Sequence, residues 1–197
     1  MRISPESTAV TRCECLKRRI VNERIRTVLQ DWPIYAAARL EDMEPRSLSQ
    51  RQALETIREH PTASYFIYGD YQSGKTHLMI AQYCYLAERG ELCALRSPKE
   101  LVRELQKAEV DDGYVSEVLR AARKAERFHL FWDDIEKAPS LSNWREEVFR
   151  DLLDLIWRRN LRLTVTSNCT MRELEDKKLI SSPAISRLFR ICIPVAV

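Results

Sequence analysis

Glycine is scarce in this 197-residue chain, which contains only four. So low a content excludes collagen-like and glycine-rich low-complexity chains, and the sequence shows no internal repeat. A residue this rare is informative wherever two copies lie close together. Gly69 and Gly74 form such a pair, and the segment that contains them is the most informative in the sequence.

Long apolar runs are also lacking, since none approaches the ~18–20 residues of a membrane span. The first thirty residues are charged throughout, which is not typical of a signal peptide. The six cysteines are irregularly spaced, so we expect reduced thiols in a cytoplasmic protein rather than a disulfide framework. Four of them lie in apolar segments: Cys84, Cys93, Cys169 and Cys192.

The segment 69–76 fits the pattern G-x-x-x-x-G-K-[ST] at every position. In this pattern the glycines let backbone N–H groups surround phosphates, the lysine reaches the outer phosphates and the hydroxyl binds Mg²⁺. The sequence therefore predicts a nucleotide site with Mg²⁺, the alternative being a strand-to-helix turn without a ligand. The expected binding residues are Gly69, Asp70, Tyr71, Gln72, Ser73, Gly74, Lys75, Thr76 and His77.

This pattern requires a strand before it and a helix after it. The aromatic and β-branched run 63–68 predicts the strand, and residues 76–89 predict an apolar helix that ends at Gly90. Four further apolar segments alternate with helical patterns, which is typical of a parallel sheet covered on both faces. We expect an α/β fold with a five-stranded parallel sheet whose later strands are 92–95, 128–132, 161–166 and 191–195.

Ahead of this core, residues 17–29 have the apolar spacing of a helix, and 41–49 is typical of a connector. Residues 12–26 hold six basic and two acidic side chains, although the whole chain has a net charge of only +3. Such a segment can touch nucleic acid or an acidic partner, or it can be an ordinary solvated helix face. We expect an N-terminal helical arm over 1–40 and a nucleotide-binding core over 41–197.

Two acids, Asp133 and Asp134, follow the predicted strand 128–132. Ligands of open α/β sheets bind at the carboxyl ends of the strands. There the first acid helps to hold Mg²⁺, and the second can orient or deprotonate a water for hydrolysis. The alternative is an acidic turn without catalytic function.

Asn168 follows the strand 161–166, and Arg187 lies on a short predicted helix. The amide at the strand end is suited to positioning the same water. The arginine is suited to stabilising charge on a transferring phosphoryl group, including one bound to a neighbouring subunit. Taken singly, Asn168 also fits a turn-forming asparagine, and Arg187 also fits an exposed surface arginine.

In this order, these four elements resemble those of the AAA+ ATPases. Within that group the sequence is most similar to the DnaC/DnaI-type replicative helicase loaders, with the IstB-type transposition helper ATPases as near relatives. The segment 40–43 also looks like one that precedes the core in these loaders, and Cys13-Glu14-Cys15 looks like the end of their zinc module. The residues that carry the resemblance are 69–76, 132–135, 166–168 and 186–188.

The resemblance implies an ATPase that loads a hexameric helicase onto single-stranded DNA. Lys75 would contact the β- and γ-phosphates, Thr76 and Asp133 would hold Mg²⁺, and Asp134 with Asn168 would set the water. Arg187 would reach the γ-phosphate of a neighbouring subunit, which implies self-association into a ring or spiral. The DNA-lining insert would be the segment 97–127, in which residues 99–127 carry seven basic and seven acidic residues and thus no net charge.

The sequence departs from that family in three places. Position 134 is Asp where Glu is commoner, and the chain ends at Val197, so we expect the lid to be absent or truncated. Zinc needs about four ligands, and Cys13 with Cys15 supplies two, which indicates a partial or shared site at most.

Three other functions fit parts of the pattern. A transposition helper would bind duplex DNA and a transposase, and a nucleotide-gated adaptor would bind ATP with little hydrolysis. A small-molecule kinase would need an arginine-rich lid and would have no use for Asn168 and Arg187.

Overall fold

The structure is a computed structural model that describes residues 14–97, 100, 103, 128–137 and 143–197. Eleven helices and strands in these residues carry labels below. The N-terminal half contains α1 (Glu14–Val28), α2 (Leu48–Glu59), β1 (Tyr65–Tyr68), α3 (Lys75–Glu88) and β2 (Cys93–Arg96). The C-terminal half contains β3 (His129–Trp132), α4 (Asn143–Arg158), β4 (Arg162–Ser167), α5 (Met171–Asp176), α6 (Ser182–Ile191) and β5 (Ile193–Ala196).

The five strands form one parallel sheet in the order β2-β3-β4-β1-β5, which confirms the predicted sheet. Strand β4 lies between β1 and β3, with Tyr68 opposite Ser167 and Trp132 opposite Val165. Because all strands run the same way, the segments after β1, β3 and β4 meet at one edge of the sheet. That edge brings the candidate residues together.

Side chains that alternate along the strands feed two cores on opposite faces. In β1, Phe66 packs with α4, α5 and α6 on one face, whereas Tyr65 and Ile67 pack with α1, α2 and α3 on the other. All three side chains are fully buried. The helices that cover both faces hold the sheet edge, and the site on it, in a fixed position.

The described part of the N-terminal arm packs on the core. Ile25, Leu29 and Leu40 are buried in the same cluster as the apolar side chains of α3. The Arg58 guanidinium of α2 donates to the carbonyl of Leu40 at 2.8 Å, and Arg39 pairs with Glu88 of α3 at 2.8 Å. The described part of the arm is therefore in direct contact with the helix that begins at the phosphate loop.

Predicted boundaries differ from the observed ones by a few residues. Helix α2 begins at Leu48, within the expected connector 41–49, because Ser47 is its N-cap and accepts from the N–H of Gln50. Strand β5 begins at Ile193 because α6 continues through Ile191. Capping boxes form at Ser97 with Glu100 and at Thr170 with Glu173.

Two further expectations concern cysteines and membranes. Cys84, Cys93, Cys169 and Cys192 are free thiols, and all except Cys93 are buried. Cys15 is disulfide-bonded, so the expectation of reduced thiols is wrong for that residue. Within the described ranges, every helix is too short or too polar to cross a bilayer.

Candidate nucleotide-binding site

The loop between β1 and α3 has the backbone of a phosphate-binding turn. Gly74 adopts φ 93° as the residue before α3, and Gln72 also has a positive φ of 63°. The N–H of Gly69 donates to the carbonyl of Ser167 at 3.3 Å, which ties the loop to the end of β4. Residues other than glycine rarely adopt the backbone conformation of Gly74. Glycine is therefore needed there for the loop to open onto the helix N-terminus.

Lys75 lies inside this loop. Its side chain is buried, and its ammonium donates to the carbonyl oxygens of Gly69 at 3.1 Å and Asp70 at 2.6 Å. Burial lowers the pKa of Lys75, while the nearby carboxylates oppose that shift. A partly desolvated ammonium inside this loop is suited to an anionic phosphate.

Asp133 lies where a magnesium ligand is expected. Its Oδ1 accepts hydrogen bonds from the hydroxyls of Thr76 at 2.9 Å and Thr166 at 2.6 Å. Burial raises the pKa of the Asp133 carboxyl, and the two hydroxyl donors oppose that shift. A buried carboxylate beside a hydroxyl is an oxygen donor set of the kind that Mg²⁺ takes, and the ion's charge would stabilise the ionised carboxylate. The residues present therefore fit this ion.

Asp134 and Asn168 are both at this edge but bond to different partners. The N–H of Asp134 donates to Thr166 Oγ1 at 2.8 Å, and its Oδ2 pairs with Lys137 Nζ at 2.5 Å. The amide of Asn168 donates to Glu136 Oε1. Sequence reasoning grouped Asn168 with Asp134 and missed Glu136. The only signal for Glu136 was a third acid shortly after the strand.

A cavity of about 680 Å³ adjoins the phosphate loop. Its walls come from the segment 34–46 on one side and from Gly74, His77 and Leu78 on the other. The rings of Tyr35 and His77 lie 5.8 Å apart, and burial, reinforced by Arg46, lowers the pKa of His77. This volume is typical of small-molecule sites. It offers room for the base and sugar of a nucleotide whose phosphates lie in the loop, and sequence reasoning missed the segment 34–46.

Arg187 forms an ion pair of its own with Asp154. Its guanidinium makes two hydrogen bonds to the carboxylate of Asp154 on α4, the second at 3.0 Å. A third goes to the carbonyl of Pro183 at 3.0 Å. Asp154 raises the pKa of Arg187, and Arg187 lowers the pKa of Asp154. The role in a neighbouring subunit stays a prediction, and it requires this pair to open or to reorient.

The predicted zinc and DNA-binding segments are only partly described. Cys13 and most of 97–127 lie outside the described residues. In the part of the chain that the structure covers, no group of three or more His, Cys, Asp or Glu side chains could hold a metal ion. Cys15 is disulfide-bonded in the structure, so a zinc half-site of Cys13 and Cys15 would first need that bond to be reduced, and it stays a prediction.

No protein-family model matches this sequence, and no curated protein is significantly similar to it. Solved structures do match its fold. The DnaC helicase loader is 21% identical with a TM-score of 0.69, covering 83% of this chain and 98% of that one. DnaI is 20% identical with a TM-score of 0.62, covering 87% and 90%.

The replication initiator DnaA, bound to AMPPCP and single-stranded DNA, is 21% identical with a TM-score of 0.66. The match covers 82% of this chain and 50% of that one, so the chain spans about half of DnaA. At these identities the likeness concerns the fold. It confirms the expected P-loop α/β fold with a five-stranded parallel sheet, a fold that this chain shares with the DnaC and DnaI structures.

Proposed function

We propose that this protein binds and hydrolyses ATP and uses that cycle to load a hexameric replicative helicase onto single-stranded DNA. The observation that carries the ATPase part is the hydrogen bond between Thr76 and Asp133, beside the buried ammonium of Lys75. It joins the first turn of α3 to the end of β3 at the point where a nucleotide's phosphates and their Mg²⁺ meet. The loader part is supported by the fold shared with DnaC and DnaI.

In the proposed reaction, the loop 69–76 surrounds the phosphates, and Lys75 contacts the β- and γ-phosphates. Bound Mg²⁺, held by Thr76 and Asp133, supplies positive charge against the charge on the transferring phosphoryl group. An acid from the segment after β3, together with Asn168, orients the attacking water. The sequence names Asp134 for this role. The base and sugar occupy the cavity between 34–46 and His77.

Self-association completes this proposed site. A head-to-tail contact presents Arg187 of one subunit to the nucleotide of the next. Because Arg187 is paired with Asp154 on α4, the contact must break or redirect that pair. Hydrolysis then depends on assembly, which is what a loader needs if it is to act only on its partner.

The N-terminal arm is the proposed surface for the helicase. Helix α1 exposes Arg19, Arg24 and Arg26, the last of which lies 4.0 Å from Glu23, while Ile25 is buried against the core. A partner bound to these exposed arginines thus acts on a helix that packs against α3, the helix that begins at Lys75. The positive charge of the arm suits an acidic surface on the partner.

One observation favours a second candidate, a nucleotide-gated adaptor with little hydrolysis. Asp134 forms a 2.5 Å ion pair with Lys137, which occupies its Oδ2 and keeps that oxygen from an attacking water. Slow turnover with tight ATP binding would support this adaptor. The transposition helper would instead show capture of a transposase and a preference for duplex DNA.

The test uses purified full-length protein and a hexameric replicative helicase. ATP turnover is measured alone, with single-stranded DNA and with helicase, for the wild type and for Arg19→Glu/Arg24→Glu. We expect the helicase or DNA to stimulate the wild type. We expect the double variant to bind ATP normally but to lose helicase capture and helicase stimulation. Capture and stimulation that the charge reversal leaves unchanged would contradict the proposed arm contact, and the absence of any ATP turnover would contradict the ATPase.

A further inference from the structure

The three acids after β3 have three different environments. Asp133 accepts from the hydroxyls of Thr76 and Thr166. Asp134 is ion-paired with Lys137, an exposed lysine of the same turn. Glu136 accepts from the side-chain amide of Asn168. The side-chain amide of Asn168, which is expected to position the water, therefore binds the carboxylate of Glu136 instead.

The two carboxylate oxygens of Glu136 differ in their hydrogen bonding. Its Oε1 is bonded to Asn168, whereas its Oε2 is buried and has no hydrogen-bond partner among the described residues. Leaving a buried acceptor unpaired is unfavourable, so such an atom in a folded protein calls for an explanation. A water or ligand hydroxyl that donates to Oε2 supplies one.

The position of Glu136 is fixed from both sides. It lies in the single helical turn Ile135–Lys137, whose Ile135 is buried in the core. Asn168 directly follows β4, the strand between β1 and β3. The charge of Glu136 is also among those that oppose the lowering of the Lys75 pKa by burial.

We propose that Glu136, oriented by Asn168, is the carboxylate that accepts the proton of the attacking water, while Asp134 stays paired with Lys137. This inference rests on the proposed ATPase function and changes the identity of its base. The water oxygen bonds to the γ-phosphorus as the bond from γ-phosphorus to the β,γ-bridging oxygen breaks, and that bond's electron pair stays on ADP. One water proton passes to Glu136 Oε2 and on to solvent, and the other stays on the released phosphate.

The test compares Glu136→Gln with Asp134→Asn in the full chain, each an isosteric loss of one carboxylate. Turnover at saturating Mg²⁺–ATP and affinity for a fluorescent ATP analogue are measured together. General base catalysis contributes typically 10²–10⁴-fold. We therefore expect Glu136→Gln to lower turnover about 100-fold or more, with ATP affinity within about threefold of the wild type. Asp134→Asn should lower turnover less than about tenfold. Asp176→Asn, at an exposed acid of α5, serves as the control.

Glu136→Asp and Asn168→Ala separate a chemical role from a structural one. The shorter carboxylate should restore at least about tenfold of the turnover lost in Glu136→Gln. Asn168→Ala added to Glu136→Gln should cause little further loss, because residues that act as a unit are not additive. Turnover is expressed per bound nucleotide, so that a partly unfolded variant does not mimic a slow one.

The outcomes distinguish this inference from the proposed function. If the wild type neither binds nor hydrolyses ATP, both the proposed function and the role of Glu136 are wrong. An active wild type with Glu136→Gln within tenfold of it, or with the larger loss in Asp134→Asn, overturns the role of Glu136 and leaves the ATPase standing.

Discussion

Thr76 Oγ1 lies 2.9 Å from Asp133 Oδ1, so the first turn of α3 is bonded directly to the residue that follows β3. These residues are 57 positions apart in the chain, and both are the ligands expected for Mg²⁺. Their contact turns two separate sequence motifs into one site. Because Asp133 is also buried, its proposed role as a magnesium ligand can be tested by the stability of the protein with and without Mg²⁺–ATP.

Asp133→Asn should separate stability from ligand binding. Burial disfavours the charge of Asp133, so replacing the carboxylate by a neutral amide should leave the nucleotide-free protein at least as stable as the wild type. The gain on adding Mg²⁺–ATP, ~2.7 kcal/mol at a hundredfold excess over Kd, should largely disappear. Thermal unfolding with and without Mg²⁺–ATP measures both. A full gain in the variant would rule out Asp133 as a ligand.

Gly74→Ala should lower both stability and ATP affinity. Gly74 has φ 93°, and a left-handed backbone costs an L-residue roughly 1–2 kcal/mol. Gly90 is a matched control, because it has φ 79°, open space around its Cα and a position at the far end of α3. Gly90→Ala should therefore show a similar loss of stability by urea unfolding while binding ATP normally. Equal ATP affinity in the two variants would contradict the proposed phosphate loop.

Arg187→Ala should spare ATP binding and lower hydrolysis in the assembled state. An arginine supplied to a phosphoryl site is worth about 10³–10⁵ in turnover, and its loss should appear only at protein concentrations or with partners that allow assembly. Arg190→Ala, on the same helix and exposed, is the control. The lost Asp154 pair is partly exposed and should cost at most ~1 kcal/mol of stability. Turnover measured against protein concentration decides this, and a loss independent of concentration counts against a role in trans.

His129 should make stability depend on pH. Its ring is buried, stacked on Phe131 and bonded to Thr164 Oγ1 at 2.9 Å. Burial, with a smaller contribution from Arg162, lowers the pKa of His129 to about 3. In the unfolded chain the pKa is about 6.5, so between these values the unfolded state binds more protons and stability falls as the pH is lowered.

From this residue alone we expect a slope approaching ~1.4 kcal/mol per pH unit below about pH 6. Urea unfolding of the wild type and of His129→Gln, measured from pH 4 to pH 8 in steps of about one pH unit, gives the difference between their slopes of stability against pH. The variant is expected to be less stable near neutral pH and to have a shallower slope below it. Parallel curves for the two proteins would show that His129 titrates normally.

Local patterns predicted the sheet and the meeting of the motifs, because parallel strands that each end in polar residues must present them at one edge. That logic brought 69–76, Asp133 and Asn168 together. It could not give the orientation of side chains in the turn after β3. For this reason the bond from Asn168 to Glu136, rather than an association with Asp134, came only from the structure.

Other features depend on contacts that are distant in the chain. The wall of the cavity formed by 34–46 spans the end of the predicted arm and the start of the predicted connector, and only folding brings it to His77. The pair of Asp154 and Arg187 joins two helices whose relative position no local pattern determines. The buried face of α1 was visible in the sequence, but its packing against the core was not.

The central claim is that the loop 69–76 binds the phosphates of ATP through Lys75. The most direct measurement is a titration of full-length wild type and Lys75→Ala with a fluorescent ATP analogue in the presence of Mg²⁺. We predict saturable binding by the wild type and a loss of affinity of at least about 10-fold, worth ~1.4 kcal/mol, in a variant that keeps its fold. Equal binding by the two proteins, or none by the folded wild type, would contradict the account.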